Sequence, residues 1–480
     1  MTDALLEAWV SSLIEVSKFR RHTRSRVHCI SGQKLKLLVM AYNGARNTGE
    51  DVRVEEMVRQ FRRIFGEENL DLSVLTFNRE RSHGYFVGST QVDLPFIFPP
   101  FLWREVPQYD GVVTAVGAMF QRTFANAATT LMIGAMGMAS AHNKLSVAYG
   151  VEAGEMDSLL EKMCRRYCGE SLIILRNEES RAALQKLGVQ SELGADTAWT
   201  FEPLAPEFGR KALGDAGWDG HQTLLAVCPN RPFSWPVRAS LFKAAARTFT
   251  GAYSDSHYRS IYFHNSGAKA EAAYRHYVNG IATAVERFCR ERNAFPILIG
   301  MERLDAEPCN RISERLGRVP VFTSDQYNMF QLVSILRCCH MLVSSRYHAV
   351  VTSMPGLVPS AGVSMDQRIR NLMRERGHPY LLVDVTDPEL DQKLFEVLER
   401  LRSEREAISD AIGRAVVKNI KAMALMGSQL EHYVRRCLPE FQGYRNKSSW
   451  EDYVPALSPN LEKLVKQHDV FIVPTPTSPS

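Results

Sequence analysis

The sequence predicts an α/β protein with two domains, each built on a parallel β-sheet. Short apolar runs alternate with segments of helical periodicity, and this alternation stops and restarts near residue 200. The length agrees, because 480 residues exceed what one ordinary hydrophobic core contains. We therefore place two Rossmann-like domains at residues 36–203 and 222–385.

The elements of the first domain follow a helical N-terminal region. Residues 1–35 combine an amphipathic helix over 1–16 with a basic linker. The first strand, 36–41, runs into a loop rich in turn residues, and a helix begins near Glu50. Further strands are predicted at 72–76, 110–117, 145–150 and 172–176, and a further helix at 180–187.

The second domain repeats this alternation and leads into a helical end. Its strands are predicted at 224–229, 261–264, 295–300, 341–343 and 357–363. Residues 386–440 form a helical extension, with a long helical stretch over 388–437. Residues 441–480 form a partly disordered tail, because Pro474, Pro476 and Pro479 disfavour regular structure there.

Composition restricts the class of protein and its compartment. A hydrophobic content of 45% and a formal net charge of only +5 are typical of globular proteins and do not indicate nucleic-acid binding. The nine cysteines contain no CxxC pair, and Cys164 and Cys168 are best interpreted as buried free thiols of a cytoplasmic protein. No apolar stretch reaches the roughly 18 to 20 residues that span a bilayer.

A basic cluster at 18–26 has two interpretations. A solvated linker is the favoured one. The other is contact with an anionic membrane surface or a phosphorylated glycan carrier, which would place the protein peripherally at the inner face of the membrane.

Two short segments near the end of the second domain carry the clearest chemistry. Arg346 and His348 directly follow an apolar, strand-like run, and Asp366 and Arg368 follow the next one. Ligands of open α/β sheets bind at the carboxyl ends of strands, so both segments should face one crevice. Guanidinium groups match phosphate and carboxylate oxygens, and histidine exchanges a proton near neutral pH. A lone histidine is more often structural, so the wider pattern must decide its role.

That wider pattern resembles the polysaccharide pyruvyl transferase family. The motifs that carry the resemblance are Gly44 to Asp51, Val116-Gly117-Ala118, Arg176 to Ser180, Gly194-Ala195-Asp196, Arg346-Tyr347-His348-Ala349 and Met365 to Arg368. Each motif is short, but their common order extends over both domains, roughly 36–385. The resemblance implies an architecture similar to GT-B glycosyltransferases, with the working site in the cleft between the domains.

The resemblance also implies a reaction and a set of residues. Phosphoenolpyruvate would donate its enolpyruvyl-derived unit to a sugar of a cell-surface or exopolysaccharide precursor, giving a pyruvate ketal. His348 would be the acid or base, assisted by Arg346, and Arg176 and Arg368 would bind the anionic groups. Asp366 would line the same site. The remaining candidates, expected to bind acceptor hydroxyls, are Asn47, Glu50 and Asp51, although Asn47 could equally form a turn and cap a helix.

The resemblance implies no cofactor and no metal, and phosphoenolpyruvate and a sugar acceptor, free or lipid-linked, are the expected partners. Departures from the family pattern mark a divergent member: Asn177 replaces an aspartate, Arg368 replaces a lysine, and most of a glycine-rich loop is missing. Two alternatives therefore stay open, a GT-B-like glycosyltransferase that uses a nucleotide sugar and a non-catalytic glycan-binding relative. The sequence indicates neither the acceptor sugar nor an oligomeric state.

Overall fold

The structure, a computed structural model, describes residues 2–21, 34–259 and 261–469. Its strands are β1 Leu35–Met40, β2 Leu70–Thr76, β3 Thr90–Asp93, β4 Gly111–Thr114, β5 Leu145–Val151, β6 Leu172–Leu175, β7 Glu192–Leu193, β8 Thr223–Cys228, β9 Arg238–Ala239, β10 His257–Arg259, β11 Tyr262–Phe263, β12 Ala294–Gly300, β13 Val321–Thr323, β14 Met341–Ser344, β15 Ser360–Val363 and β16 Leu382–Val383.

The α-helices follow in chain order. They are α1 Thr2–Arg21, α2 Thr48–Phe65, α3 Pro99–Glu105, α4 Asn126–Ala141, α5 Ser158–Tyr167, α6 Glu178–Gln185, α7 Pro206–Asp215, α8 Leu241–Thr250, α9 Ala268–Arg292, α10 Ala306–Arg315, α11 Met329–Arg337, α12 Tyr347–Ser353, α13 Gln367–Glu375, α14 Leu390–Ser403, α15 Arg405–Cys437 and α16 Pro459–His468.

The chain divides into two compact units that draw on separate parts of the sequence. Unit 1 comprises Met1–Thr197, Arg231–Arg275 and Met423–Tyr453, and unit 2 comprises Ala198–Asn230, His276–Ala422 and Val454–Ser480. The segment predicted as a helical extension forms α14 and α15, and α15 contributes its first part to unit 2 and its last part to unit 1. Helix α16 lies within the segment predicted as a tail, and residues 470–480 of that segment lie outside the described residues.

Each unit contains one fully parallel sheet, and six strands follow the same order in both, with β7 as a seventh strand in unit 1. The sheet of unit 1 runs β3-β2-β1-β4-β5-β6-β7, and the sheet of unit 2 runs β13-β12-β8-β14-β15-β16. In each sheet the first three strands follow one another outward in one direction. The next strands, four in unit 1 and three in unit 2, follow in the other direction, which is the doubly wound Rossmann order. The predicted fold class, α/β with two Rossmann-like domains, is confirmed.

The central strands form because their side chains are apolar on both faces. All residues of β4, β5, β14 and β15 are buried, as parallel strands covered by helices on both sides require. Helices α1, α3 and α5 pack against α4, whose Gly134 and Gly137 allow close approach to Val10 and Ile14 of α1. The N-terminal helix is therefore part of the hydrophobic core of unit 1.

One predicted strand has a different place in the fold. Residues 261–264 were expected in the second parallel sheet, but Tyr262 and Phe263 form β11 of a separate antiparallel sheet with β9 and β10. Strands β9, β10 and β11 have only two or three residues each, which is too short for central strands of a buried sheet. They belong to an excursion of the chain between β8 and β12. The excursion, 231–275, is part of unit 1.

Candidate active site

In unit 1, the loop after β1 starts helix α2 at the point where the strand order reverses. Asn47 is the N-cap of α2, and its side chain accepts a hydrogen bond from the backbone N–H of Glu50 at 3.3 Å. This contact satisfies one of the free N–H groups of the first helical turn. Asn47 thus has the capping geometry, and Glu50 and Asp51 lie buried in the turn that follows.

Glu50 belongs to a buried cluster of ionised side chains at the carboxyl edge of this sheet. Arg53, which is fully buried, pairs with Glu50 at 2.9 Å and with Asp196 at 3.3 Å. Arg176 pairs with the same Asp196 oxygen at 2.7 Å and lies 3.9 Å from Glu152. Two cations and three carboxylates thus compensate one another where water has little access, and burying any one of them alone would be costly.

Backbone carbonyls fix the two guanidinium groups of the cluster. Arg53 donates to the carbonyl of Ala115 at 2.6 Å and to that of Gly150 at 2.8 Å, and Arg176 donates to Gly150 at 2.7 Å. Ala115 follows β4, and Gly150 lies in β5. The arginines therefore connect the ends of neighbouring strands as well as balancing charge.

Gly117 is required by the close approach of this cluster to the backbone after β4. A Cβ atom at this position would overlap the Arg176 guanidinium and would lie 3.0 Å from Glu50 Oε1 and 3.3 Å from Arg53 Nη1. The remaining glycine of the shortened loop thus accommodates an arginine side chain of the protein itself.

A group of aromatic rings borders the same edge of unit 1. The rings are those of Tyr42, Phe77, Phe124, Trp235, Tyr258 and His264. The backbone N–H of Val237 donates to the Phe124 carbonyl at 2.9 Å, which fixes the excursion to the loop after β4. The hydroxyl groups of Tyr42 and Tyr258 lie 2.5 Å apart and share a hydrogen bond. Trp235 has ring centroids 5.1 to 5.4 Å from its neighbours and remains partly exposed.

In unit 2, Arg346 leaves the end of β14 and pairs with two carboxylates that follow β12. It donates two hydrogen bonds to Asp305 and forms an ion pair with Glu302 at 2.8 Å. Burial opposes the charge of Arg346, but Asp305 and Glu302 outweigh it and raise the pKa of the guanidinium. Burial likewise raises the pKa of Asp305, against the effect of Arg346. The arrangement holds the loops after β12 and β14 together.

The residues beside Arg346 are held by a hydrogen-bond network of hydroxyl and amide groups. The hydroxyl of Ser345 lies 2.7 Å from that of Tyr277, and the Asn230 amide donates to the Ser345 carbonyl at 3.2 Å. Ser345 also donates to the carbonyl of Val363 at the end of β15. Asn230 follows β8, so this network crosses the topological switch point of unit 2.

His348 lies in the first turn of α12 and is buried. The ring of Tyr347 packs edge-on against it, with centroids 5.0 Å apart, and the guanidinium of Arg368 lies 5.6 Å from the centre of the Tyr347 ring. Asp366 caps α13 and accepts two hydrogen bonds from Nε of Arg368, at 3.0 and 2.9 Å. The structure thus brings His348, Arg368 and Asp366 to the adjacent ends of β14 and β15.

The sequence-predicted residues therefore fall into two sets. Asn47, Glu50, Asp51 and Arg176 belong to unit 1. Arg346, His348, Asp366 and Arg368 belong to unit 2.

Sequence reasoning missed four charged partners: Arg53, Glu152, Glu302 and Asp305. The spacing of Arg53 three residues after Glu50 on a predicted helix was a usable signal, because such positions share one helix face.

Two searches of the described residues complete the chemical description of the chain. None of the groups of His, Cys, Asp and Glu in residues 2–21, 34–259 and 261–469 has the arrangement of a metal site. Among the helices in these ranges, none combines the length and apolar character that crossing a membrane requires.

A comparison with models of known protein families tests the family resemblance that the motifs indicated. The model of the polysaccharide pyruvyl transferase family matches residues 47–366, two thirds of the chain. The chain belongs to this family. The match begins at the α2 cap Asn47 and ends at Asp366, so the family region includes every predicted site residue except Arg368, which follows two positions later. Among curated proteins, none matches this pyruvyl transferase family member.

Solved structures similar to this family member include several sugar enzymes. A UDP-GlcNAc 2-epimerase from Neisseria meningitidis has 11% identity and a TM-score of 0.47, with 79% of this chain and 94% of that chain covered. A UDP-N-acetylglucosamine 2-epimerase has 12% identity and a TM-score of 0.49, with 87% and 100% covered. The α,α-trehalose 6-phosphate synthase of Burkholderia multivorans has 11% identity and a TM-score of 0.45, with 84% and 98% covered. At these values the likeness carries no conclusion about substrate or mechanism.

Proposed function

We propose that this protein transfers a pyruvyl group from phosphoenolpyruvate to a sugar of a cell-surface or exopolysaccharide precursor and forms a pyruvate ketal. The observation that carries the proposal is the placement of His348 and Arg368 at the ends of the adjacent strands β14 and β15. This arrangement lies within or next to the region that belongs to the pyruvyl transferase family.

The reaction requires a proton donor, a base and a cationic environment. The methylene carbon of phosphoenolpyruvate accepts a proton and becomes a methyl group, while two sugar hydroxyl groups form new C–O bonds to the neighbouring carbon. The bond from that carbon to the phosphate oxygen breaks, and phosphate leaves. Of the two hydroxyl protons, one balances the proton taken up by carbon and the other leaves with phosphate. His348 is proposed to carry protons between these groups.

Arg346 and Arg368 are proposed to have different roles because their surroundings differ. Arg346 is held by Asp305 and Glu302, so we assign it to positioning the turn that carries His348. Arg368 pairs with Asp366 of its own helix turn, and its side chain is 14% exposed. A phosphate or carboxylate of the donor can take the place of Asp366 on the Arg368 guanidinium.

The residues of unit 1 are proposed to serve the acceptor. Arg176 is enclosed by Asp196 and Glu152, which suits a structural role better than binding of the donor. The partly exposed ring of Trp235, beside Tyr42 and Tyr258, offers the apolar faces and hydroxyl groups that sugar rings contact. Asn47, Glu50 and Asp51 shape the same strand end, and we propose that they support this surface through α2.

Binding of the donor can be tested by the melting temperature of the purified protein with phosphoenolpyruvate, and with phosphate, pyruvate and UDP as controls. We expect a selective increase with phosphoenolpyruvate that is lost in Arg368→Met. An increase with UDP in place of phosphoenolpyruvate would refute the donor assignment and favour a glycosyltransferase that uses a nucleotide sugar.

Turnover is tested by phosphate release from phosphoenolpyruvate in the presence of a glycan extract. His348→Asn should reduce turnover by roughly a hundredfold or more while the donor still raises the melting temperature, because general acid–base catalysis contributes on that scale. His221→Asn, at an exposed position in the same unit, is the matched control. Full turnover in His348→Asn would exclude the assigned role. Trp235→Ala should weaken binding of the acceptor and leave binding of the donor unchanged.

A further inference from the structure

The excursion 231–275 contains a helix that the fold of unit 1 leaves uncovered. Helix α8 is well formed: the Ser240 hydroxyl caps its start by accepting from the N–H of Lys243 at 3.2 Å, and Gly251 ends it in the left-handed conformation. None of its ten residues is buried. A surface helix of a globular domain normally packs an apolar stripe of its own side chains against the core. Helix α8 has no such buried stripe.

The exposed side chains of α8 are large and apolar. Leu241 is 60% exposed, Phe242 74%, and Phe249 84%, and Tyr253 just after the helix is 42% exposed. Phe242 and Phe249 are seven residues apart and therefore lie on one face of the helix. Exposed apolar side chains that cluster in this way mark a surface that binds another protein or a membrane, whereas single exposed apolar residues are normal.

The same excursion has an excess of positive charge. Its charged residues are Arg231, Arg238, Lys243, Arg247, Arg259, Lys269 and Arg275 against Asp255 and Glu271. The excess of five positive charges equals the formal net charge of the whole chain, +5, so the remainder of the sequence is neutral. A region with less than a tenth of the residues thus has a concentrated positive charge, which favours association with an anionic partner.

Helix α8 also carries two cations, Lys243 and Arg247. Lys243 and Arg247 are four residues apart and therefore share a side of α8, which is not the side that carries Phe242 and Phe249. The ammonium of Lys243 lies 5.2 Å from the centre of the Tyr253 ring, and Arg247 contacts the His257 ring nitrogen at 3.1 Å. Phenyl rings on one side and lysine and arginine on another are the composition of helices that lie in the interface of a charged bilayer.

We propose that α8 docks the protein onto an anionic lipid bilayer. The phenyl rings of Phe242 and Phe249 enter the boundary between headgroups and acyl chains, and Arg238, Lys243 and Arg247 approach lipid phosphates. The charge selects this occupant over a second copy of the chain, since a copy would bring the same five excess positive charges to the contact. This docking is independent of the donor chemistry proposed above.

The test is co-sedimentation of the full-length protein with vesicles of phosphatidylcholine alone or mixed with phosphatidylglycerol. We expect binding to the mixed vesicles at low salt, weaker binding at high salt and little binding to phosphatidylcholine alone. The double variant Phe242→Ser, Phe249→Ser should bind the mixed vesicles more weakly, by at least about tenfold. Lys243→Gln with Arg247→Gln should weaken it by about fivefold per charge removed.

The matched control replaces two exposed apolar residues elsewhere in unit 1, Phe96→Ser with Ile97→Ser. This control should bind vesicles as the natural sequence does, and all variants should keep the melting temperature. Absence of binding to the mixed vesicles, or equal loss in the control, would overturn the proposal. So would a change of oligomeric state in the Phe242→Ser, Phe249→Ser variant with unchanged vesicle binding, because the face would then be a self-contact.

Discussion

Replacing Arg53 by methionine should destabilise unit 1 strongly. The change removes ion pairs at 2.9 Å to Glu50 and 3.3 Å to Asp196, and it leaves the Ala115 carbonyl without its 2.6 Å donor. Breaking a buried ion pair by deleting one partner costs about 3 to 5 kcal/mol, and an unsatisfied carbonyl adds to it. We expect a loss of about 4 kcal/mol, because methionine retains most of the volume and the helix propensity.

The measurement is scanning calorimetry of the variant beside a control from the same helix. A loss of about 4 kcal/mol corresponds to a decrease of roughly 8 to 15 °C in the transition of a unit of this size. The control is Arg63→Met, whose partner Asp452 forms an ion pair at 3.0 Å with both side chains accessible, so its loss should stay below about 1 kcal/mol. If Arg53→Met lowers the transition no more than Arg63→Met, the buried cluster does not stabilise unit 1 as argued.

Two further predictions concern the same unit. Gly117→Ala should lower the free energy of unfolding by about 2 to 3 kcal/mol, since the added methyl group displaces the Arg176 guanidinium. The control Gly169→Ala should be nearly neutral, because a Cβ atom there meets no atom within 4 Å. Equal effects of the two substitutions on thermal unfolding would contradict the packing argument. Burial first, and then Asp157 and Asp3, raise the pKa of Glu7 to about 7, so its contribution to stability is present at low pH and lost as pH rises through about 7. Glu7→Gln should therefore increase the free energy of unfolding by roughly 1 to 3 kcal/mol at about pH 8 and raise the melting temperature there. At about pH 5 the substitution should change the melting temperature little. Equal shifts of the melting temperature at the two pH values would contradict a titration of Glu7 near neutral pH.

The strands and the order of the motifs were predictable because they are local properties. Buried parallel strands such as β5 and β12 are continuous apolar runs, and the loops after them carry the motif residues. The capping role of Asn47 was recognisable for the same reason, since it depends on residues three positions away. The sequence alone was sufficient for these features.

Charge compensation was not predictable, because it depends on residues that are distant in the chain. Arg53 meets Asp196, 143 positions later, and Arg346 meets Asp305, 41 positions earlier. No periodicity relates such pairs. The sequence therefore predicted Arg346 as a catalytic residue without its carboxylate partners and did not indicate Arg53 at all. The inclusion of the excursion in unit 1 had no local signal either, since it rests on contacts such as that between Val237 and Phe124. The catalytic roles remain predictions.

The composition of unit 1 has a consequence for how the chain folds during synthesis. The Gln60 amide, fully buried in α2, donates to the carbonyls of Met423 at 2.9 Å and Tyr453 at 2.8 Å. The chain must be synthesised as far as Met423 and Tyr453 before these carbonyls can accept. Nascent multidomain proteins generally fold their N-terminal domain first, but here unit 1 is complete only after residues 423–453 have been synthesised. A ribosome that stalls anywhere before residue 423 therefore holds an incomplete first unit, a substrate for chaperones and proteases.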